Sequence, residues 1–230
     1  TLFPYTTLFR SFEENLKKIE LTRLYSVSDA VKTLKSLKSA KFDETVELVF
    51  HLGIEPKKAD QLVRGAFSLP HGIGKKVRVI AFCDGDQIEK AKVAGAIEAG
   101  SDELVAKVNG GWLDFDVAIS APNMMAKVGK LGKVLGPTGK MPSPKSGTVT
   151  VDVGKAVAEF VAGKIEFRND DTSNVHAVIG KFSFDEKKIT ENAEALIKYI
   201  GTIRPQSVKE GYFKNISLST TMGPGIKIAI

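Results

Sequence analysis

Apolar and polar residues alternate with different periods along this chain. Near the start, apolar residues recur at helical spacing, which predicts helices over residues 12–20 and 28–38, the second capped by Ser28. Residues 45–52 change to a period of two, with the even-numbered positions apolar, which predicts a half-buried strand. The turn-rich residues 68–74 then interrupt the pattern.

The middle of the chain has another pattern. Near-continuous apolar runs at 77–83 and 116–121 predict strands that are covered on both faces. Helices are predicted between and after them, an order typical of an α/β domain with parallel strands. The predicted helices cover residues 84–99 and 102–109, a helix opened by Pro122, and residues 152–162.

The last third returns to short strands. Polar residues 169–174 form a predicted turn between two of them, and Thr220–Gly225 separates two others. The predicted elements are strands at 165–168, 175–181, 212–219 and 226–230, and an amphipathic helix at 185–200.

The first and last segments share one pattern of strands and helices, and the middle has the alternating order of buried strands and helices. The sequence therefore predicts a discontinuous α+β domain with an α/β domain inserted into it. The predicted domains are residues 12–70 with 162–230, and residues 71–161. Two chain crossings between them would act as a hinge. Residues 1–11 repeat a Thr-Leu-Phe unit and are predicted to be a non-native or disordered tail.

Composition narrows the classes of protein. The 230 residues are 43% hydrophobic and 26% charged, which is typical of a globular protein, and no apolar run is long enough for a membrane span. A single cysteine, Cys83, excludes an internal disulfide. The net charge of +6 suits an acidic partner such as nucleic acid, but it is spread evenly, so a mildly basic enzyme fits the charge equally well.

Most candidates for enzyme chemistry fail on spacing. The glycine-rich stretches match neither a P-loop nor a dinucleotide motif, and the three histidines are too scattered to bind a metal together. Asp84-Gly85-Asp86, at the end of a predicted strand, is a conceivable magnesium site of an α/β enzyme. A helix cap with a favourable helix-dipole charge explains these residues better.

Two stretches suit RNA. Residues 117–151 contain no acidic residue, so their lysines would attract phosphates, although they could equally be a solvated face. Thr220–Gly225 combines hydroxyls, a methionine and glycines, which suits RNA docking, although it could be only a tight strand connection. The lysines of the acid-free stretch are Lys127, Lys130, Lys133, Lys140 and Lys145.

Several separated motifs, in order between Phe12 and Ile230, resemble the family of large-subunit ribosomal protein one, from the mobile stalk beside the tRNA exit site. The motifs are Lys41–Leu48, Val63–Gly65, Leu69–Gly72, Leu135–Gly139, Met141–Lys145, Phe167–Asp170 with His176, and Thr220–Gly223.

The resemblance implies a non-enzymatic, cytoplasmic ribosomal protein without cofactor, metal or membrane contact, monomeric when free. It implies a discontinuous first domain, an inserted Rossmann-like domain and a hinge. Its expected partners are large-subunit rRNA, the large ribosomal subunit, exit-site tRNA whose release it assists, and its own operon mRNA, whose translation it represses.

The resemblance also assigns residues to these partners. The lysines of the acid-free stretch are expected to face the tRNA. The expected RNA-binding residues are Lys41, Phe42, Thr45, Arg168, His176, Thr221, Met222 and Gly223.

Three departures from the family pattern change local expectations. Residues 1–11 replace a Lys/Arg-rich start, so an RNA contact there is not expected. Asp171 stands where a lysine is common and removes a positive charge beside the RNA face. Ser143 replaces a common asparagine, a mild change.

Overall fold

A computed structural model describes residues 12–58, 60–208 and 211–229. The predicted tail at residues 1–11 therefore lies outside the described residues. The chain divides into two compact units: a first unit of residues up to Gly74 and from Phe167 onward, and a second unit of Lys75–Glu166. Each unit has its own sheet and its own buried core.

Both helices and strands are present in each unit. The strands are β1 (Thr45–Leu52), β2 (Arg64–Ser68), β3 (Val79–Phe82), β4 (Glu98–Gly100), β5 (Val117–Ser120), β6 (Lys164–Arg168), β7 (Asn174–Lys181), β8 (Phe213–Thr220) and β9 (Ile226–Ile228). The α-helices are α1 (residues 12–16), α2 (Val27–Ser36), α3 (Asp86–Val93), α4 (Asp102–Asn109), α5 (Met125–Val128), α6 (Gly132–Leu135), α7 (Val153–Ala162) and α8 (Glu186–Thr202). Short 3-10 turns cover Pro122–Met124, Gly129–Leu131 and Pro144–Ser146.

The first unit is built on a four-stranded antiparallel sheet in the order β7-β1-β8-β9. The predicted strand at 45–52 is confirmed as β1, and its even-numbered residues are buried. Since successive side chains of a strand point to opposite faces, the odd-numbered residues of β1 lie on a second, partly exposed face. We call this second face the polar face.

Helices α2 and α8 cover the buried face of the sheet. Their apolar residues recur every three or four positions, so each helix buries one side. Helix α2 is capped two residues earlier than predicted. Ser26, not Ser28, is its cap, because Ser26 Oγ accepts the backbone N–H of Asp29 at 3.2 Å.

One predicted strand has a different partner. The polar turn at 169–174 suggests a hairpin of β6 with β7, but β6 pairs with β2, a strand that the sequence pattern did not reveal. Asn169 fixes this arrangement: its Oδ1 accepts the N–H of Val63 at 3.0 Å, and its own N–H donates to Val63 O at 2.9 Å. The strand β7 is thereby left to pair with β1.

The second unit contains a parallel three-stranded sheet in the order β4-β3-β5. The apolar runs predicted as strands are confirmed as β3 and β5, and all four residues of β3 are buried. The helix predicted for residues 84–99 is too long. It ends at Val93, and residues 98–100 form β4, whose three residues were too few to produce a visible strand pattern.

Candidate nucleic-acid interface

Two segments about 180 residues apart in sequence meet at one end of β1. The backbone N–H of Thr45 donates to Thr221 Oγ1 at 3.0 Å, and the N–H of Thr221 donates to Thr45 O at 3.1 Å. These reciprocal bonds hold the turn after β8 against the start of β1. They bring together six of the eight residues expected to bind RNA: Lys41, Phe42, Thr45, Thr221, Met222 and Gly223. We call these six the RNA surface.

The RNA surface presents apolar side chains to solvent. Phe42 is 53% exposed and Met222 is 39% exposed, whereas most large apolar side chains in this unit are buried. Lys41 and Thr221 are exposed beside them. An exposed aromatic ring and thioether next to a lysine and a hydroxyl can contact a base, a sugar and a phosphate of one RNA strand.

Gly223 lies in a tight turn. A Cβ atom at this position would lie 2.4 Å from Thr220 Oγ1, far inside normal contact. The N–H of Gly223 donates to Thr220 O at 3.1 Å and closes the turn. A larger residue at position 223 would require the Thr220 hydroxyl to move away.

Lys181 joins the surface although the sequence did not indicate it. An irregularity in the pairing of β1 with β7 shifts the register between Val46 and Glu47 and places Lys181 opposite Thr45. Lys181 Nζ donates to Thr45 Oγ1 at 2.9 Å and lies 3.4 Å from Asp43 O. The ammonium group thereby adds positive charge next to Thr45.

Glu44, which belongs to the Lys41–Leu48 motif but was not expected to have a role at the site, lies beneath the RNA surface. It is buried, and its carboxylate oxygens accept two backbone N–H groups, from Ala40 and Met222. One signal for it was present in the sequence. Like the buried apolar residues of β1, Glu44 has an even number and precedes the strand in the same alternation. An acidic residue at this position therefore faces the protein interior.

The other two expected RNA-binding residues lie apart from this surface. His176 is exposed on the polar face opposite Val49, four residues along β1 from Thr45, or about 13 Å at strand spacing. Arg168 is exposed at the end of β6, which belongs to the separate two-stranded sheet with β2. These two residues are therefore not part of the cluster of six.

The turn before His176 is held by Asp170. Desolvation by itself would raise the pKa of Asp170, but hydrogen bonds from the backbone and side chains of Asn174 and Thr172 outweigh it and lower the pKa to about 2. Asp170 Oδ2 is 3.8 Å from His176 Nε2. This carboxylate stays negative at neutral pH, close to the exposed Asp171.

The five lysines of the acid-free stretch, all in the second unit, are not equivalent. Lys127 pairs with Asp102 at 2.8 Å, and this interaction raises the pKa of Lys127. Lys140 Nζ donates to Leu113 O at 2.9 Å and to Phe115 O at 2.5 Å. Within the described part of the chain, the other three are exposed without a hydrogen bond or ion pair: Lys130, Lys133 and Lys145.

The alternative magnesium site is an open surface. Asp84 and Asp86 are both exposed, and Gly85 occupies the cap position of α3, so the side chain of Asp84 does not cap the helix. Asp86 lies in the first turn, where its charge suits the helix dipole. Among the residues that the structure describes, no three His, Cys, Asp or Glu side chains come together to hold a metal ion.

The neighbouring cysteine is buried. Desolvation by burial, with the nearby charge of Asp84, raises the pKa of the Cys83 thiol, so it stays protonated. Across residues 12–58, 60–208 and 211–229, every helix is too short or too polar to span a bilayer.

Comparison with known proteins now decides the family. A sequence model of the ribosomal protein L1p/L10e family matches residues 34–224, which include both halves of the RNA surface. This chain belongs to that family. Its members are ribosomal proteins and not enzymes, so the magnesium-enzyme alternative is set aside and the resemblance seen in the sequence motifs is confirmed.

Individual relatives match over nearly their full length. The chain is 52% identical over 223 residues to the large ribosomal subunit protein uL1 of Corynebacterium aurimucosum, covering 97% of this chain and 95% of the relative. It is 50% identical over 219 residues to the protein of the same name from Cutibacterium acnes, covering 95% and 94%. The corresponding protein of Thermobifida fusca is 48% identical over 219 residues, covering 95% and 93%.

Proposed function

We propose that this protein is a structural constituent of the large ribosomal subunit and binds large-subunit rRNA through its first unit. The names of its relatives support the ribosomal assignment. The protein then acts in the cytoplasm, on the ribosome. Free of the ribosome it is a monomer.

The observation that carries the rRNA proposal is the RNA surface. Two short segments that are far apart in the sequence of the first unit are joined by hydrogen bonds, and between them they expose Phe42 and Met222 beside Lys41. Such a rigid patch loses little conformational freedom when RNA binds. Stacking and 2′-hydroxyl contacts are the usual means of recognising folded RNA.

The second unit has a different proposed task. Its parallel sheet supports a Rossmann-like architecture, and its free lysines Lys130, Lys133 and Lys145 support contact with the backbone of exit-site tRNA. The two chain crossings, near Gly74 and Glu166, would serve as a hinge that lets this unit follow the outgoing tRNA and assist its release.

A regulatory role follows from the same RNA surface. An mRNA that folds like the rRNA site would bind the same residues, because shape and sugar contacts carry the recognition. We therefore include repression of the protein's own operon mRNA in the proposed function. Competition between the two RNAs for one surface is its expected signature.

Filter binding tests the central proposal. The parent protein should retain a stalk fragment of large-subunit rRNA more tightly than an unrelated structured RNA of equal length, and the retention should weaken as salt rises. Equal affinity for the two RNAs at moderate salt would contradict specific rRNA binding. An operon mRNA fragment should compete with the stalk fragment for the protein.

A further inference from the structure

Glu44 connects the two halves of the RNA surface from below. Its Oε1 accepts the N–H of Ala40 at 2.5 Å, just before Lys41 and Phe42. Its Oε2 accepts the N–H of Met222 at 3.1 Å. One side chain thus fixes the backbone on both sides of the surface, at positions 182 residues apart in the sequence.

This carboxylate is in an unusual place. Glu44 is only 2% exposed, and no lysine, arginine or histidine in the described part of the chain forms an ion pair with it. Burying a carboxylate costs free energy even when it is hydrogen-bonded, and a negative group beneath an RNA-binding surface repels phosphates. Fold stability alone is a poor explanation for its presence.

Geometry explains it better. A carboxylate has two acceptor oxygens, so it can satisfy two converging N–H groups at once, whereas an amide has only one acceptor oxygen. The turn that it holds is closed by the N–H of Gly223, which donates to Thr220 O at 3.1 Å. Holding the N–H of Met222 therefore fixes the backbone from which the exposed side chain extends.

We propose that Glu44 is the positioning residue of the RNA surface, holding Met222 and the Lys41–Phe42 segment in the binding arrangement before RNA arrives. This inference rests on the proposed rRNA binding. Glu44 itself does not touch RNA, because its side chain is buried. Its contribution is to remove the ordering cost that a mobile turn would impose on binding.

The test compares two carboxylate-to-amide changes on neighbouring positions. Glu44→Gln keeps the size of the side chain but loses one acceptor, and should weaken binding of the stalk rRNA fragment about tenfold. Glu47→Gln removes the same charge from the half-exposed polar face of β1 and should bind as tightly as the parent, or slightly more tightly. The salt dependence should be equal in all three proteins, because no phosphate contact is lost.

A double-mutant cycle separates positioning from general destabilisation. Glu44→Gln should cost little further affinity in a Met222→Ala background, because the side chain that it positions is then absent. Amide hydrogen exchange of the Met222 N–H should accelerate in Glu44→Gln and not in Glu47→Gln. The hydrogen-exchange measurement needs no RNA. If Glu44→Gln folds poorly, Glu44→Asp can replace it, because its shorter side chain should reach only one of the two N–H groups and so disturb the turn less.

The experiments distinguish failure of the positioning role from failure of the proposed rRNA binding. Parent-like affinity of Glu44→Gln, or losses that simply add to those of Met222→Ala, would overturn the positioning role. Slow exchange of the Met222 N–H in both Glu44 variants would overturn it as well. A parent protein that shows no preference for stalk rRNA would instead overturn the proposed function, while hydrogen exchange would still decide whether Glu44 holds the turn.

Discussion

The RNA surface of the first unit and the lysine stretch of the second unit are built in opposite ways. The RNA surface is assembled from residues near 41–45 and 221–223, joined by the reciprocal bonds between Thr45 and Thr221 and by the bond from the N–H of Met222 to Glu44. The lysines lie in one continuous stretch of sequence, and two of the five are occupied by partners inside their own unit. Hydrogen bonds between its distant segments hold the RNA surface in shape, whereas a run of lysines provides mainly charge.

This difference predicts different kinds of binding. A preorganised surface with exposed apolar groups can discriminate one folded RNA from another, because shape and stacking depend on exact placement. Exposed lysines bind any phosphate backbone, and salt weakens that binding. We therefore expect specific affinity to reside in the first unit and transient affinity in the second.

The largest effect is expected for Met222→Glu. A carboxylate in place of the exposed thioether would face RNA phosphates and should cost about 1–3 kcal/mol of rRNA binding, or roughly a tenfold to hundredfold loss in affinity. The matched control is Met141→Glu in a half-exposed loop of the second unit, which should bind rRNA like the parent. Filter binding of both variants checks the comparison, and equal losses would mean that the two regions do not differ.

A smaller effect, on stability and not on binding, is expected for Lys140→Gln. The change removes two hydrogen bonds from an ammonium group to the carbonyls of Leu113 and Phe115, and should lower the free energy of unfolding by about 1–2 kcal/mol. Lys145→Gln, an exposed lysine nearby, should leave it unchanged. Thermal unfolding followed by circular dichroism measures both, and a parent-like Tm for Lys140→Gln would show that this lysine is as free as the others.

The smallest effect is expected when Lys130 and Lys133 are both changed to Gln. These two exposed lysines have no partner in the described residues, so the fold and the rRNA affinity should be unaffected. Engagement of exit-site tRNA by reconstituted ribosomes should weaken a few-fold at low salt, and its salt dependence should become shallower by about two phosphate contacts. Unchanged tRNA engagement at matched low salt would leave these lysines as a merely solvated face.

Local patterns in the sequence predicted much of the secondary structure. The period of two in β1, the apolar runs of β3 and β5 and the helix α4 lie where their patterns place them. These elements are readable because a strand or helix that buries one face, or both, must repeat its apolar residues at the period of its backbone. The family resemblance likewise depended only on motifs in order along the chain.

The pairing of the strands and the contacts of single side chains could not be predicted from the sequence in the same way. The strand β6 has a normal strand pattern, but its pattern does not say that β2 is its partner, because many strands offer compatible edges. Similarly, nothing in residues 117–151 distinguishes Lys140 from Lys130. Only the folded second unit brings the carbonyls of Leu113 and Phe115 to the ammonium group of Lys140.

Lys181 shows most directly what the sequence determines and what the tertiary structure decides. By parity with Val175, Ala177 and Ile179, which are buried, Lys181 should point into the core. The extra residue in the ladder between β7 and β1 moves it to the polar face, opposite Thr45. Sequence periodicity determines which residues can share a face, because it is a property of one strand. The register between strands selects the face that Lys181 occupies, because it depends on hydrogen bonds to residues more than a hundred positions away.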